Sequence, residues 1–392
     1  MKTLKRTWAD VSLDNLANNF RVLRAHVSKN ARILGVMKAD GYGHGAVPVS
    51  HALAELGAGY LAVSNLEEAV QLRRGGVRLP ILILGYTPAS YADTMVFMDI
   101  TQEVHSLSYA QELDSALAGT NYILNVHLKL DTGMTRIGFF SYGEGAALDE
   151  LVAAATLPHL HVEGAFTHFC AADSTAPEDA AFTKMQYDRF CQMREALAAS
   201  GVKPEICHCA NSGATLLYPE YAMDMVRPGI ALYGHAPSAD TEGILPLRPM
   251  MSLHTTIAQL REVPAGASVS YGRTYQTEAP LKMAVLPIGY ADGLSRALSG
   301  RVSFRLRGKM VSGIGRICMD MCMVDVTAVP EAAVGDELTL FGYDADGTLC
   351  PCETLAQQLG TISYEVLCSV NKRIPRIYLE NGKPAEILQY IV

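Results

Sequence analysis

Eight short apolar runs in the front two thirds of the chain limit its fold more than any other feature. They cover residues 33–38, 60–64, 81–85, 100–104, 124–130, 160–168, 206–210 and 225–233, each rich in Ile, Leu or Val. Helix-like stretches separate them, such as 12–29, 66–75 and 178–199. The first of these opens with Ser12 ahead of Leu13, Leu16 and Phe20, which predicts an N-cap. Strands alternating with helices imply a parallel sheet, and eight is the number that closes a (β/α)8 TIM barrel. An open doubly wound sheet is the structural rival.

After about residue 240 the pattern changes. Pro246, Pro249, Pro264 and Pro280 punctuate period-two runs at 253–263, 283–288, 302–307, 323–326 and 338–341. These predict a mostly antiparallel β domain with one helix at 353–359. Pro264-Ala265-Gly266 and Asp346-Gly347 supply turn chemistry. The expected division is therefore an α/β barrel over 1–240 and a β domain over 241–392.

Composition narrows the function. With 49% apolar and 18% charged residues, a disordered polymer is excluded. The net charge of −8 and the lack of a basic tract argue against nucleic acid as the main partner. The amino terminus carries Lys2, Lys5 and Arg6 but no apolar core of a secretory signal, and no uncharged run is long enough for a membrane span. Nine cysteines in such a chain fit a reducing cytoplasm. His159 and His161 resemble a metal pair, but they begin a strand, on the stability face of a barrel, so no metal is expected.

Barrel chemistry gathers at the carboxyl ends of strands. The first run ends in Lys38, followed by the glycine-rich Gly41-Tyr42-Gly43-His44-Gly45. A desolvated lysine there loses its proton more easily, as Schiff-base formation requires, although a lysine snorkelling from the rim gives the same pattern. Along the fifth run Asn125, His127, Lys129 and Asp131 share one face, which continues into Arg136. A polar plug accounts for His127, but less well for the two cations. The later runs lead to Thr167-His168, to Ser212-Gly213 and to Arg227-Pro228-Gly229-Ile230. The loops after strands seven and eight commonly bind phosphate, and Ser212 with the amides near Gly229 and Ile230 fits that role. A lysine plus a phosphate cradle suggests pyridoxal phosphate.

The run Val36-Met37-Lys38-Ala39-Asp40-Gly41-Tyr42-Gly43-His44-Gly45 resembles the cofactor-lysine signature of alanine racemases. So do Leu130-Asp131-Thr132-Gly133-Met134 with Arg136, Thr167-His168-Phe169 and Ala210-Asn211-Ser212. The likeness continues through Arg227 to Gly234, Val269-Ser270-Tyr271-Gly272, Gly289-Tyr290-Ala291-Asp292-Gly293 and Ile317-Cys318-Met319-Asp320. The resemblance implies an amino-acid racemase that interconverts L- and D-alanine. Lys38 would hold pyridoxal 5'-phosphate as an internal aldimine, with Lys38 and Tyr271 as the two proton-transfer groups. It further implies cofactor contacts from Tyr42, His168, Ser212, Arg227, Gly229, Ile230 and Tyr364, and substrate contacts from Arg136 and the Met319 backbone. Asp320 would be a supporting residue, and Lys129 a lysine that is often carbamylated. Tyr271 would need its pKa tuned downward. A cytoplasmic homodimer is implied, with active sites at the interface and D-alanine supplied for peptidoglycan. The rivals are a serine/alanine racemase of the glycopeptide-resistance type, a barrel amino-acid decarboxylase and a non-catalytic pyridoxal-phosphate carrier.

Overall fold

The structure, a computed structural model, describes residues 6–143 and 146–391. Lys2 and Lys5 lie outside them. Among the described residues no helix is long and apolar enough to cross a membrane. The chain forms two compact units: residues 17–41 and 46–248 make one, and residues through Leu16, Tyr42–Gly45 and Pro249 onward make the other.

The first unit is the barrel. After β1 (Thr7–Ser12), the chain forms β2 (Arg32–Val36), β3 (Tyr60–Val63), β4 (Ile81–Ile83), β5 (Ile100–Val104) and β6 (Leu124–Asp131). It continues with the short β7 (Phe139–Phe140), then β8 (Leu160–Phe166), β9 (Ile206–His208) and β10 (Met225–Val226). Strands β10, β2, β3, β4, β5, β6, β8 and β9 are neighbours in that order, all parallel. Between β9 and β10 the amide of Asp224 donates to the Cys207 carbonyl at 3.1 Å and that of Arg227 to the Ala210 carbonyl at 2.9 Å, so the ring is nearly closed. Continuous burial along β3, β4 and β5 explains why these strands read as unbroken apolar runs. The rival open sheet is thereby set aside.

The second unit is built on an eleven-stranded, mostly antiparallel sheet. Strand β1, which falls within the 1–240 expected for the barrel, pairs here with Met251–Thr256 and Arg376–Glu380. Ser12 caps the following helix, Leu13–His26, by accepting from the Asn15 amide at 3.1 Å, as its position predicts. The run expected over 253–263 is two strands, Met251–Thr256 and Gln259–Val263. Asp346-Gly347 turns one strand, Glu337–Tyr343, back onto Leu349–Cys350, as expected for a hairpin.

Candidate active site

Lys38 opens a single left-handed turn. Ala39, Asp40, Gly41 and Tyr42 have φ of 51°, 56°, 62° and 50°. Only glycine adopts this conformation cheaply, and each L-residue held there costs roughly 1–2 kcal/mol. Side chains keep the turn in place. Asp40 Oδ1 accepts from the Ala46 amide at 2.9 Å, and Glu68 accepts from the amides of Ala39 (2.7 Å) and Ser64 (2.8 Å). The carboxylates thus hold the strained backbone that presents the exposed Lys38 beyond the end of β2.

The polar face of β6 points into the barrel, where His127 and Lys129 are buried. Lys129, 4% exposed, lies over the Phe166 ring at 4.7 Å. Burial, reinforced by the charges of Arg227 and Arg136, lowers its pKa from 10.5 to about 7. Among the described residues no hydrogen-bond acceptor reaches its amine. Asp131 organises the next loop by accepting from the amides of Gly133 and Thr135, both at 3.0 Å, and Arg136 follows as an exposed cation.

Arg227, 3% exposed, is fixed by four acceptors. Nη1 reaches His208 Nδ1 at 2.8 Å. Nη2 reaches the carbonyls of Thr167 (2.8 Å) and Cys209 (3.1 Å), and His168 Nδ1 at 3.3 Å. Burial lowers its pKa to about 10, which leaves it a cation at neutral pH. Burial, then the Arg227 charge, drives His168 and His208 well below the ordinary 6.5, so both are neutral. The charges of Lys129, Arg136 and Lys38 act on His168 in the same direction. His208 continues to His127 (2.8 Å), and His127 to Glu163 (3.3 Å), which also accepts from Tyr60 at 2.8 Å. Burial raises the Glu163 pKa, but the hydrogen bonds from His127 and Tyr60 outweigh it, and the net shift is down.

After β9, Asn211 caps the short helix Ser212–Leu217, its side chain accepting from the Ala214 amide. Ser212 Oγ accepts from the amides of Gly229 (2.8 Å) and Ala231 (3.4 Å), so its own O–H is left to donate elsewhere. Among the described residues the amides of Ser212, Gly213 and Ile230 have no acceptor. Unpaired backbone N–H groups beside a hydroxyl are the donors an anion cradle uses. Strand β10 stops at Val226 rather than at 233, and this early stop frees residues 229–231 to form it.

The β unit holds the remaining expected residues. Tyr271, 66% exposed, caps a two-stranded ribbon of Ser268–Val269 and Tyr275–Gln276. Ser270 takes φ 65°, and its hydroxyl donates to the Arg316 carbonyl at 2.6 Å. A groove of about 540 Å³ runs past Ser270, Tyr271 and Cys318. Met319 sits on a neighbouring exposed loop, and Asp320 accepts from Arg373 at 2.8 Å. The rings of Tyr42 and Tyr364 lie 5.8 Å apart. Lys38, Lys129, Arg136, His168, Ser212, Arg227, Gly229 and Ile230 thus belong to the barrel, and Tyr42, Tyr271, Met319, Asp320 and Tyr364 to the β unit.

His168, expected among the cofactor contacts, bonds Arg227 here, and His208, the nearer partner of that arginine, was not anticipated from the sequence. Nor was Phe166, which stacks on His208 at 4.8 Å and lies under Lys129. His159, in the pair rejected as a metal site, bonds Asp114 at 2.9 Å.

Barrel and β unit place the chain among two-domain barrel enzymes. Residues 11–237 match the alanine racemase N-terminal domain and residues 250–378 its C-terminal domain. The chain is 46% identical to an alanine racemase of Desulfovibrio desulfuricans over 95% of its length and 98% of the relative's. It is 40% identical, over the whole of both chains, to the alanine racemase of Clostridium novyi. The solved alanine racemase of Clostridium difficile 630 superposes with a TM-score of 0.94 at 39% identity, covering all of both chains. The chain belongs to the alanine racemase family and is thereby an isomerase.

Proposed function

We propose that this protein interconverts L- and D-alanine with pyridoxal 5'-phosphate, moving the Cα proton between Lys38 Nζ and the Tyr271 phenol oxygen. The observation that carries this reading is the setting of Arg227, a desolvated cation whose acceptors are two neutral histidines and two carbonyls. The residues present fit the cofactor: an amine on a strand-end turn, an anion cradle and a fixed cationic donor. When bound, pyridoxal phosphate supplies an electron-withdrawing ring that acidifies the substrate Cα–H.

The chain's own residues do the rest. Lys38 Nζ holds the cofactor and carries the proton on one face. The Ser212 hydroxyl and the amides around Gly229 and Ile230 bind the phosphate in the barrel, and Tyr42 and Tyr364 contribute from the β unit. Arg227, a cation at neutral pH, would donate to the ring nitrogen and leave it unprotonated, which would limit the spread of negative charge into the ring and disfavour transamination. A decarboxylase would place a carboxylate at that position, and none bonds Arg227 among the described residues.

The guanidinium of Arg136 and the Met319 N–H bind the substrate carboxylate, and Asp320 supports that loop. Lys129, with a pKa near neutrality, attacks carbon dioxide through its free amine. A nitrogen–carbon bond forms and a proton leaves to water, giving a carbamate anion that faces Arg136. Tyr271, exposed at a ribbon tip, serves the barrel of a second copy, so the working form is a homodimer. Such an enzyme supplies D-alanine for peptidoglycan in the cytoplasm.

Purified protein with pyridoxal phosphate and L-alanine or L-serine in heavy water tests the reading. Loss of the alanine α-proton signal with inversion, much faster than for serine, supports it. Dominant serine exchange moves the assignment to the serine-preferring relatives. Bound cofactor without exchange of either overturns catalysis altogether.

A further inference from the structure

The segment Gly289-Tyr290-Ala291-Asp292-Gly293 has no part in the chemistry above, yet its geometry is tightly specified. It forms a 3-10 turn, Tyr290–Asp292, in the β unit. Two consecutive amides of the turn grip two consecutive carbonyls. Tyr290 N–H donates to the Cys318 carbonyl and Ala291 N–H to the Met319 carbonyl, both at 3.0 Å. Glycine at 289 is obligatory for this approach, because a Cβ there would lie 2.4 Å from the Cys318 oxygen and 2.3 Å from that of Met319.

The Cys318 carbonyl and the Met319 N–H belong to one planar trans peptide and point in opposite directions. Pinning the carbonyl to Tyr290 therefore aims the Met319 N–H away from the turn. Among the described residues that N–H has no acceptor, and Met319 is 52% exposed.

Asp292 closes the turn. Its carboxylate is fully buried. Oδ2 accepts from the Gly289 amide at 3.0 Å, and Oδ1 accepts from Arg6 Nη2 at 2.7 Å, with Arg373 Nε at 3.9 Å. Arg6 in turn donates to the Pro287 carbonyl at 2.6 Å, just before the turn. A buried carboxylate with a cationic partner and a backbone donor is a rigid joint, and removing one member leaves the others unpaired.

We propose that Asp292, braced by Arg6, is a positioning residue for substrate: it fixes the Gly289–Asp292 turn, whose amides set the direction of the Met319 N–H. This rests on the reading that the Met319 N–H binds the substrate carboxylate. Asp292→Asn cannot accept on both sides at once, so the turn loosens and the N–H loses its aim.

The test compares holoenzyme of wild type, Asp292→Asn, Arg6→Met and Arg6→Lys. In Asp292→Asn and Arg6→Met, KM for alanine and the inhibition constant of propionate, a bare carboxylate, rise together by roughly tenfold. The value of kcat changes much less, and Arg6→Lys restores most of the loss. A merely structural role would lower the melting temperature and the active fraction without this split. Folded, cofactor-loaded Arg6→Met with unchanged KM and unchanged propionate inhibition overturns the proposal, whether or not Asp292→Asn folds. Wild type that fails to racemise alanine overturns the functional reading instead.

Discussion

His208 Nδ1 lies 2.8 Å from Arg227 Nη1, and an arginine can only donate, so this nitrogen of His208 carries no proton. The His208 proton must then sit on Nε2, facing His127 Nδ1 at 2.8 Å, and by the same logic His127 carries its proton on Nε2, facing Glu163. One arginine thus dictates the tautomers of two histidines, and the chain of bonds ends on a carboxylate.

Stability should fall steeply in mild acid. His127, His168 and His208 are held below 6.5 by burial first, so the folded state leaves them neutral while the unfolded chain protonates them. The unfolded state binds more protons below about 6.5, and each such histidine costs about 1.4 kcal/mol per pH unit there. Glu163, shifted below 4.5, adds stability that is present above its ordinary value and lost as pH drops through the folded one. Urea midpoints of wild type and His208→Gln, compared at neutral pH and near pH ~5.5, check this. A difference that does not depend on pH would refute it.

Lys129 acts in the same direction as the histidines, but over a higher pH window. Between about 7 and 10.5 the unfolded lysine is protonated and the folded one is not, so its contribution to stability improves as pH rises through that window. Added bicarbonate should remove the penalty near neutrality by converting the amine to a carbamate. Carbon-13 NMR with labelled bicarbonate should show a carbamate carbonyl in wild type and none in Lys129→Met. Melting curves of the variant should be flat with respect to bicarbonate.

Ser212→Ala should weaken the cofactor by roughly tenfold. It removes a hydroxyl donor and leaves the Gly229 amide, now bonded at 2.8 Å, without its acceptor. Fluorescence titration with pyridoxal phosphate measures the change. Unaltered affinity would place the phosphate elsewhere.

Mixing subunits tests the shared site. Lys38→Ala and Tyr271→Phe homodimers should each be nearly inactive. Subunits exchanged between them should regain a fraction of activity, because one of the two sites in a mixed dimer has both wild-type groups. Restored activity is expected only after exchange, and its absence would put Lys38 and Tyr271 of one site on the same chain.

The barrel was legible because its strands are buried on both faces and therefore read as apolar runs wherever they occur. Strand β1 was not, since Thr7–Ser12 mixes polar and apolar residues and becomes a strand only through partners far along the chain. The end of β10 was overrun because Ile230, Ala231 and Leu232 are apolar and buried, though they form a turn after Pro228. At the site, Lys38, Lys129 and Arg227 could be singled out because charge inside a strand run is costly, and Arg136 because the polar face of the fifth run continues into it. His208 could not. A histidine in the run 206–210 reads as core, and its importance appears only when Arg227, on the next strand's end, is seen to lie against it.

Strand β1 has a consequence for how the protein is made. It is synthesised well before its partners, first Met251–Thr256 and, later still, Arg376–Glu380. At about 5–20 residues per second the strand waits tens of seconds with both edges unpaired. The barrel's own strands find their neighbours within that interval. The β sheet is therefore completed only once Arg376–Glu380 has been made, and a chain truncated before Arg376 would leave one edge of β1 open to pairing with other chains.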